Sequence, residues 1–208
     1  MLRLVIVSGR SGSGKTSALN ILEDIGFTCI DNLPASLLPN LIKELNSEDS
    51  RGNSQLTLIE NGASETIAYE TKLAVGIDAR NIVGDLNKLP EILSKLEAGG
   101  IDVSVLFLQA RRSELIRRYS ETRRKHPLSS GGISLPEAID LEEKILSPIL
   151  NISDRNLDTS GLSLHQLRDL VKNTIDPKST GHMSILFESF GFKCGPPDGS
   201  DFIFDVRC

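Results

Sequence analysis

The stretch that decides the fold is Gly9-Arg10-Ser11-Gly12-Ser13-Gly14-Lys15-Thr16, which follows the apolar run of residues 2–7. It has the form G-x-x-x-x-G-K-[ST], in which the glycines let the backbone curl so that successive N–H groups point at phosphates. From average residue usage, a chance match in a chain of this length is expected roughly once in a hundred. The sequence therefore predicts a phosphate-binding loop between a buried strand and a helix.

Lys15 and Thr16 carry the chemistry expected of such a loop. The helix that begins near Lys15 adds the positive end of its dipole to the site. Lys15 is predicted to reach the β- and γ-phosphates of a nucleoside triphosphate, and the Thr16 hydroxyl to ligate Mg²⁺. A simple Gly/Ser turn fits the context poorly, because Ala18, Leu19 and Leu22 form the apolar face of a following helix.

Strand-like and helical patterns alternate through about residue 175. Strands are predicted at residues 2–7, 27–30, 73–77, 103–108 and 156–159. Helices are predicted after Lys15, with Gly26 as a stop, and around residues 37–45, 90–97, 111–125, 134–150 and 163–175. This order predicts an α/β fold of the P-loop NTPase (kinase-like) type, a parallel sheet with helices on both faces.

Two domains are expected. Residues 1–176 form the predicted P-loop nucleotide-binding domain, with a polar insertion at residues 46–71 that contains a hairpin around residues 56–59. Strand-like runs at residues 183–187 and 201–206 have no helix between them, so residues 181–208 are predicted as the truncated start of a second small α/β unit.

A P-loop site needs a carboxylate near Mg²⁺, usually at the end of an apolar strand. Asp78 follows the run of residues 73–77 and is the favoured metal or water ligand. Asp31 ends the second strand and is a candidate for positioning substrate or water. Either aspartate could instead cap the next turn. The role of Arg80 stays open: it could bind a phosphate, or it could be an ordinary surface arginine.

One short segment is strongly basic, although the chain as a whole carries a formal charge of -5. Its cations are Arg111, Arg112, Arg117, Arg118, Arg123, Arg124 and Lys125. Three interpretations stay open: a lid that closes over the phosphates, a contact for RNA or a partner, and a solvated helix face. The adjoining His126 has no metal-ligand spacing to another histidine, and we assign it no functional role.

Composition excludes several classes. The acidic charge and 4% aromatic content argue against a general nucleic-acid-coating protein. The three cysteines form no C-x-x-C pair, which favours a reducing compartment. The apolar N-terminal run is too short for a membrane span and lacks the layout of a signal peptide. We expect a cytoplasmic protein without a membrane partner.

The sequence resembles the RapZ/YvcJ family of bacterial P-loop nucleotide-binding proteins, the RNase adapters. The resemblance rests on blocks that span nearly the whole chain. They are VSGRSGSGKT (7–16), LEDIGFTCIDNLP (22–34), DARN (78–81), LIRRYSETRRKHPLS (115–129), LDTSGLSLHQLR (157–168) and FESFGFKCGPP (187–197).

The resemblance implies ATP binding at residues 9–16, GTP binding at Asp78, Ala79, Arg80 and Asn81, and ATPase and GTPase activity. It also implies an adapter role, in which a small regulatory RNA is presented to an endoribonuclease through a C-terminal domain. That domain continues past Cys208 in the family, and Gln109 stands where the family usually has Asp or Glu. A small-metabolite kinase and a non-catalytic nucleotide-binding module remain as alternatives, and homo-oligomerisation is left open.

Overall fold

The computed structural model describes residues 2–49, 55–60, 63–68, 71–81, 83–129, 132–177 and 204. The chain divides into two compact units, Met1–Pro177 and Lys178–Cys208. The strands predicted at residues 183–187 and 201–206 fall outside the described residues, apart from Phe204, so the second domain stays a prediction. The fold described below is that of the first unit.

Seven strands occur in the described residues of this unit. They are β1 (Leu2–Gly9), β2 (Thr28–Ile30), β3 (Gln55–Glu60), β4 (Ala63–Ala68), β5 (Thr71–Ile77), β6 (Asp102–Gln109) and β7 (Arg155–Asp158). Five of them form a parallel sheet in the order β2-β5-β1-β6-β7, and β3 and β4 form a separate antiparallel pair. The predicted parallel α/β sheet is therefore confirmed.

Six α-helices accompany the strands in the described part of the chain. They are α1 (Lys15–Asp24), α2 (Leu38–Asp49), α3 (Val83–Ala98), α4 (Arg112–Thr122), α5 (Leu135–Asn151) and α6 (Leu164–Ile175), with a 3₁₀ turn at Ala35–Leu37. Leu4 and Ile6 of β1 pack with α2, α3 and α5, whereas Val5 and Val7 pack with α1 and α6. Because successive strand side chains point to opposite faces, helices cover both faces of the sheet.

The predicted ends of several elements agree with the structure. Ser134 and Ser163 begin α5 and α6 with capping boxes that use Glu137 and Gln166. Gly26 has a φ of 89° just after α1, as expected of a glycine that ends a helix. The hairpin predicted around residues 56–59 is also confirmed, as β3 and β4.

Two predicted helix boundaries are wrong, the end of α2 and the start of α3. Helix α2 continues to Asp49, into the segment predicted as a polar insertion. Helix α3 begins at Val83, so Pro90 lies inside the helix. The prediction began the helix at Pro90, and a proline does favour a helix start, because it lacks the N–H that interior positions need. The apolar contacts of Leu86 and Leu89, both buried in the core, outweigh that local preference.

The basic segment is also divided differently from the prediction. A helix was expected over residues 111–125, but α4 ends at Thr122 and Arg123 adopts a left-handed φ of 52°. Arg124 and Lys125 consequently lie in the connection between α4 and α5 rather than on a helix.

The arrangement of strands places the predicted site at one edge of the sheet. Strand β1 is central and pairs with β5 and β6, with Ser8 opposite Ile77 and Gly9 opposite Leu108. The P-loop therefore leaves β1 beside the carboxyl ends of both neighbours. In open parallel sheets, ligands bind at the carboxyl ends of the strands, at the point where the connections from two neighbouring strands run to opposite faces of the sheet.

Candidate functional site

The P-loop, residues 9–14, takes a backbone path that its glycines make accessible. Gly14 caps α1 in the left-handed region, with φ 98°. Gly9 has φ 151°, and a Cβ atom built on it would overlap the backbone carbonyl group of Leu108 in β6. Gly9 is therefore required both by its backbone conformation and by the close approach of the neighbouring strand.

Helix α5 holds the first half of the P-loop. The Ser11 N–H donates to Glu142 Oε2 at 2.9 Å, and its hydroxyl donates to Glu142 Oε1 at 2.5 Å. Arg10 Nη2 donates to the Ile139 carbonyl at 3.4 Å and lies 3.4 Å from Glu143 Oε2. The Glu142 carboxylate is fully buried, so these bonds are protected from water.

The end of β7 and helix α4 hold the second half. Thr159 Oγ1 donates to the Ser13 carbonyl at 2.8 Å, and Arg118 Nη1 donates to the Gly12 carbonyl at 2.9 Å. Arg118 Nη2 also donates to the Thr159 carbonyl at 2.7 Å, which ties the two anchors together. Each of the four residues between Gly9 and Gly14 is thus bonded to an element outside the loop.

A carboxylate at the carboxyl end of β5 gathers the cations of the site. Lys15 Nζ lies 3.1 Å from Asp78 Oδ2, and Arg80 donates to the same oxygen from Nε at 2.8 Å and Nη2 at 2.5 Å. The Arg80 N–H donates to Asp78 Oδ1 at 2.9 Å. Asp78 is 2% exposed, whereas Arg80 reaches solvent.

The ionisation of Asp78 follows from these contacts. Its burial opposes the charged form, but the Arg80 hydrogen bonds and the Lys15 charge outweigh burial and hold the Asp78 pKa below its ordinary value of 3.8. Asp78 is therefore a carboxylate at neutral pH, suited to binding cations and poorly suited to accepting a proton.

A cleft of about 570 Å³ opens above the P-loop. Its lining includes Lys15, Thr16, Asp78 and Arg80. The remaining lining includes Arg118, Tyr119, Thr122, Arg124, Lys125, Pro127, Thr159, Leu162, Ser163, Leu164 and Leu167. Among the described residues that line the cleft, Asp78 is the one carboxylate. The cleft lining therefore combines cationic and apolar side chains, which suits a ligand that has both anionic and apolar parts.

The structure separates the members of the predicted Asp78–Asn81 group. Asp78 and Arg80 line the cleft, but Ala79 is part of the hydrophobic core. The Asn81 side chain is buried and accepts a hydrogen bond from the Ala35 N–H at 2.9 Å. Two of the four residues therefore line the cleft, and Ala79 and Asn81 shape the turn.

Asp31, the other predicted acidic residue, lies apart from this cleft. It follows β2 and is exposed. A Cβ atom on Gly76 would approach Asp31 Oδ1 to 2.5 Å, so the carboxylate lies over β5. Its negative charge raises the pKa of Arg80 together with Asp78, which contributes more.

The basic segment contains residues with different surroundings. Arg112 pairs with Asp140 on the surface, and Arg117 pairs with Glu114 and Glu121. Arg118, Arg124 and Lys125 line the cleft, and Arg118 is also bonded to the P-loop. The cations of this segment that line the cleft are therefore one residue on α4 and two residues that follow its end.

Sequence reasoning missed Glu142 and Thr159, the anchors of the P-loop. Glu142 did leave a signal, because it occupies a core position in the helical series Ile139, Glu142, Leu146, Ile149, where an apolar residue is expected. Thr159 left none beyond its place at the end of a predicted strand.

The described residues contain neither a cluster of metal-ligating side chains nor a membrane-spanning helix. No group of three or more His, Cys, Asp or Glu side chains is placed to hold a metal ion within the described residues. Within the same parts of the chain, no helix combines the length and apolar character needed to cross a membrane.

The fold and loop define the class of protein, a P-loop α/β protein. A sugar kinase from Janibacter sp. HTCC2649 has a similar fold, with a TM-score of 0.50 and 16% identity over 83% of this chain and 94% of that chain. At this identity the similarity concerns the fold alone.

Sequence comparison identifies the family. The model of the RapZ-like N-terminal domain matches residues 2–66 and 54–179. A nucleotide-binding protein of Cellvibrio japonicus (strain Ueda107) is 48% identical over 207 residues, covering 100% of this chain and 64% of the relative. A nucleotide-binding protein of Hahella chejuensis (strain KCTC 2396) is 47% identical, covering 100% of this chain and 66% of that protein. The chain belongs to the RapZ-like family, and it spans somewhat less than two thirds of the length of these relatives.

Proposed function

We propose that this chain binds the Mg²⁺ complex of a nucleoside triphosphate, ATP or GTP, in the cleft above the P-loop and hydrolyses it slowly as a regulatory switch. The observation that carries the proposal is the convergence of Lys15, Thr16, Asp78 and Arg80 on one cleft. The names of the two relatives as nucleotide-binding proteins support it.

The phosphates would take over contacts that the protein now makes with itself. Lys15 and Arg80 both bond to Asp78. A triphosphate offers these cations stronger and more numerous acceptors, and the P-loop N–H groups of residues 12–16 add to them. Lys15 is then the contact to the β- and γ-phosphates, and Arg80 is a cation for charge that develops on the transferred group.

The residues present fit a magnesium ion. The Thr16 hydroxyl and the ionised Asp78 carboxylate line the same cleft, and oxygen donors of these two kinds are the ligands that Mg²⁺ prefers. When bound, Mg²⁺ would neutralise charge between the β- and γ-phosphates. Thr16 would hold the ion from the first turn of α1, and Asp78 from the end of β5.

The character of Asp78 supports the proposal that turnover is slow. Its lowered pKa makes it a weak base, and no second carboxylate occurs among the described residues of the cleft lining. Asp31, which a kinase would need beside the acceptor, is not in that lining. These observations favour a nucleotide-dependent switch over a fast enzyme.

The same geometry supports a single site for ATP and GTP. The family resemblance assigns ATP to residues 9–16 and GTP to residues 78–81. Because Asp78 and Arg80 line the cleft together with Lys15, we propose that the two nucleotides compete. The apolar side chains of the lining, among them Leu162 and Leu164, offer surface to either base. Displacement of fluorescent ATP by GTP tests this proposal, and simultaneous saturation of two sites would contradict it.

The main experiment measures nucleotide binding and phosphate release with Mg²⁺ for the wild type, Lys15→Ala and Lys95→Ala. Lys95 is 74% exposed and pairs with Glu91 on α3, so its variant is the matched control. We expect binding and turnover in the wild type and Lys95→Ala, and at least a tenfold loss of affinity in Lys15→Ala, roughly one strong charge-assisted contact.

The other outcomes discriminate between the alternatives. Tight binding without turnover would indicate a binding module. Phosphate transfer that depends on an added metabolite would indicate a kinase. Equal binding by wild type and Lys15→Ala would contradict the proposed site. Thermal melting of each variant checks that differences in affinity do not come from unfolding.

The adapter role implied by the family belongs to a longer protein in the cytoplasm. We propose that the nucleotide state of this chain controls presentation of a small regulatory RNA to an endoribonuclease there. RNA retention by a relative of full length, with and without ATP, tests the link. RNA binding unaffected by nucleotide and by Lys15→Ala would contradict it.

A further inference from the structure

A single histidine is buried within an exposed segment that faces the cleft. Residues 121–125 and Pro127 are all exposed, but the His126 side chain has no exposed area. Arg124, Lys125 and Pro127 line the cleft on either side of it. Since α4 ends at Thr122, no helical hydrogen bonds hold these residues in position.

The hydrogen bonds of His126 indicate which of its ring nitrogens donates and which accepts. The Leu128 N–H donates to His126 Nδ1 at 3.2 Å, so Nδ1 is an acceptor without a proton. The proton is therefore on Nε2, which lies 3.3 Å from Glu142 Oε2 and donates to it. The Ser129 N–H and hydroxyl donate to the His126 carbonyl at 2.9 and 2.7 Å, which closes a turn around the residue.

Glu142 is the same residue that holds the P-loop. Its Oε2 accepts from both His126 and Ser11, and its Oε1 accepts from the Ser11 hydroxyl. A buried carboxylate needs such donors, because a charge without partners is costly in the interior. Moving His126 away would remove one of them, so the carboxylate favours the docked position of the segment.

Tyr119 provides a second contact between the P-loop and the turn that contains His126. Its ring lies 5.2 Å from the His126 ring, centroid to centroid, and a Cβ atom on Gly12 would approach it to 3.3 Å. Burial raises the pKa of the Tyr119 phenol, and the Ser11 side chain, which lowers it, contributes less. The P-loop and the His126 turn therefore share two neighbours, Glu142 and Tyr119.

We propose that His126 and Glu142 are a positioning pair that holds Arg124 and Lys125 over the cleft in register with the P-loop, so that these cations favour a triphosphate over a diphosphate. The proposal rests on the proposed nucleotide-binding function and names the residues that would set its selectivity. His126 acts through its neighbours, because its own side chain is enclosed and does not reach the cleft surface.

The test compares dissociation constants for ATP and ADP in the wild type and four variants. These are His126→Ala, His126→Gln, the double variant Arg124→Ala/Lys125→Ala, and the triple variant that adds His126→Ala. A glutamine places an N–H donor near the position of Nε2, so His126→Gln retains the bond to Glu142. Arg124 and Lys125 are exposed, so their replacement is expected to leave the fold intact.

We expect His126→Ala to weaken ATP binding about tenfold and ADP binding less than threefold, the size of one lost charged contact. His126→Gln should stay within about threefold of the wild type for both nucleotides. Arg124→Ala/Lys125→Ala should lose the same preference for ATP, and adding His126→Ala should cause no further loss, because coupled residues are not additive.

Three results would overturn the proposal. They are equal weakening of ATP and ADP by His126→Ala, full additivity in the triple variant, and an unchanged ATP preference in Arg124→Ala/Lys125→Ala. The third result can be obtained even if His126→Ala fails to fold, because the Arg124→Ala/Lys125→Ala variant keeps His126. Failure of the proposed function is distinguishable, because it appears as equal nucleotide binding by wild type and Lys15→Ala whatever residue 126 is.

Discussion

The two walls of the cleft are built differently. On one side, every residue between Gly9 and Gly14 is bonded to an element outside the loop. On the other side, Arg124 and Lys125 are exposed and follow a helix that has already ended. The first wall is shaped before a ligand arrives, and the second is held mainly through His126.

This difference separates two tasks of a phosphate site. A preorganised set of donors lowers the entropy lost on binding, so the rigid wall provides affinity. A wall held by few contacts can move at little cost, so it can respond to the length of the phosphate chain. The predictions below test how rigid the first wall is and how far its anchors extend.

The largest effect is expected from Gly9→Ala. A methyl group here meets the Leu108 carbonyl, and the φ of 151° is unfavourable for alanine. We expect a loss of about 3 kcal/mol or more in the free energy of unfolding, since overpacking and backbone strain add. Urea denaturation measures it.

Gly100→Ala is the control for Gly9→Ala. Gly100 has φ 84°, but a Cβ atom there has open space around it. The Gly100→Ala variant should lose only about 1 kcal/mol in the free energy of unfolding, the cost of the backbone conformation alone. Equal losses in the two variants would mean that the approach of β6 to the P-loop does not constrain residue 9.

A smaller effect is expected from Thr159→Val, which removes a buried hydroxyl at nearly constant shape. That hydroxyl donates to the Ser13 carbonyl, so we expect a loss of about 2 kcal/mol of stability and weaker nucleotide binding. Thr174→Val removes a hydroxyl that bonds within α6, to the Leu170 carbonyl, and should leave nucleotide binding unchanged. Scanning calorimetry of both variants measures their stability, and titration calorimetry measures their affinity for nucleotide. A loss of affinity in Thr174→Val as large as in Thr159→Val would contradict a specific role of this anchor.

Much of the fold and the central part of the site could be predicted from the sequence, because their signals are local. Residues 9–16 are contiguous, and Asp78 directly follows an apolar strand. The anchors are not local. Glu142 lies 131 residues from Ser11 and Thr159 lies 146 residues from Ser13, so no spacing connects them. The end of α4 was also missed, because arginine is not a residue that commonly adopts the left-handed conformation of Arg123.

Two adjacent arginines on α4 offer a matched pair for a third prediction. Arg118→Lys keeps the charge but loses the planar fork that reaches Gly12 and Thr159, so we expect a loss of about 1 kcal/mol in stability. Arg117→Lys alters a surface residue that pairs only with neighbours on its own helix among the described contacts, and should have no measurable effect. Thermal unfolding of the two variants checks this difference. Equal behaviour would mean that Arg118 does not anchor the P-loop.

The smallest effect concerns pH. The Asp78 pKa is lowered on folding, so Asp78 stabilises the protein above about pH 4 and this contribution is lost as pH falls through the folded-state pKa. Because burial opposes the stabilising contacts, the net contribution is modest. The unfolding free energy should fall less steeply below about pH 4 in Asp78→Asn than in the wild type. Parallel profiles for the two proteins would contradict this assignment.

The pairing of Lys15 and Arg80 with Asp78 also has a consequence for the speed of ligand capture. In the free protein these two cations are partly neutralised, so they attract a distant anion weakly. Arg124 and Lys125, exposed at the cleft, are then expected to contribute much of the long-range attraction. Added salt screens exposed charges far more than buried ones. We therefore expect the association rate of a nucleotide to fall with ionic strength, while its dissociation rate, set by the enclosed contacts, changes little.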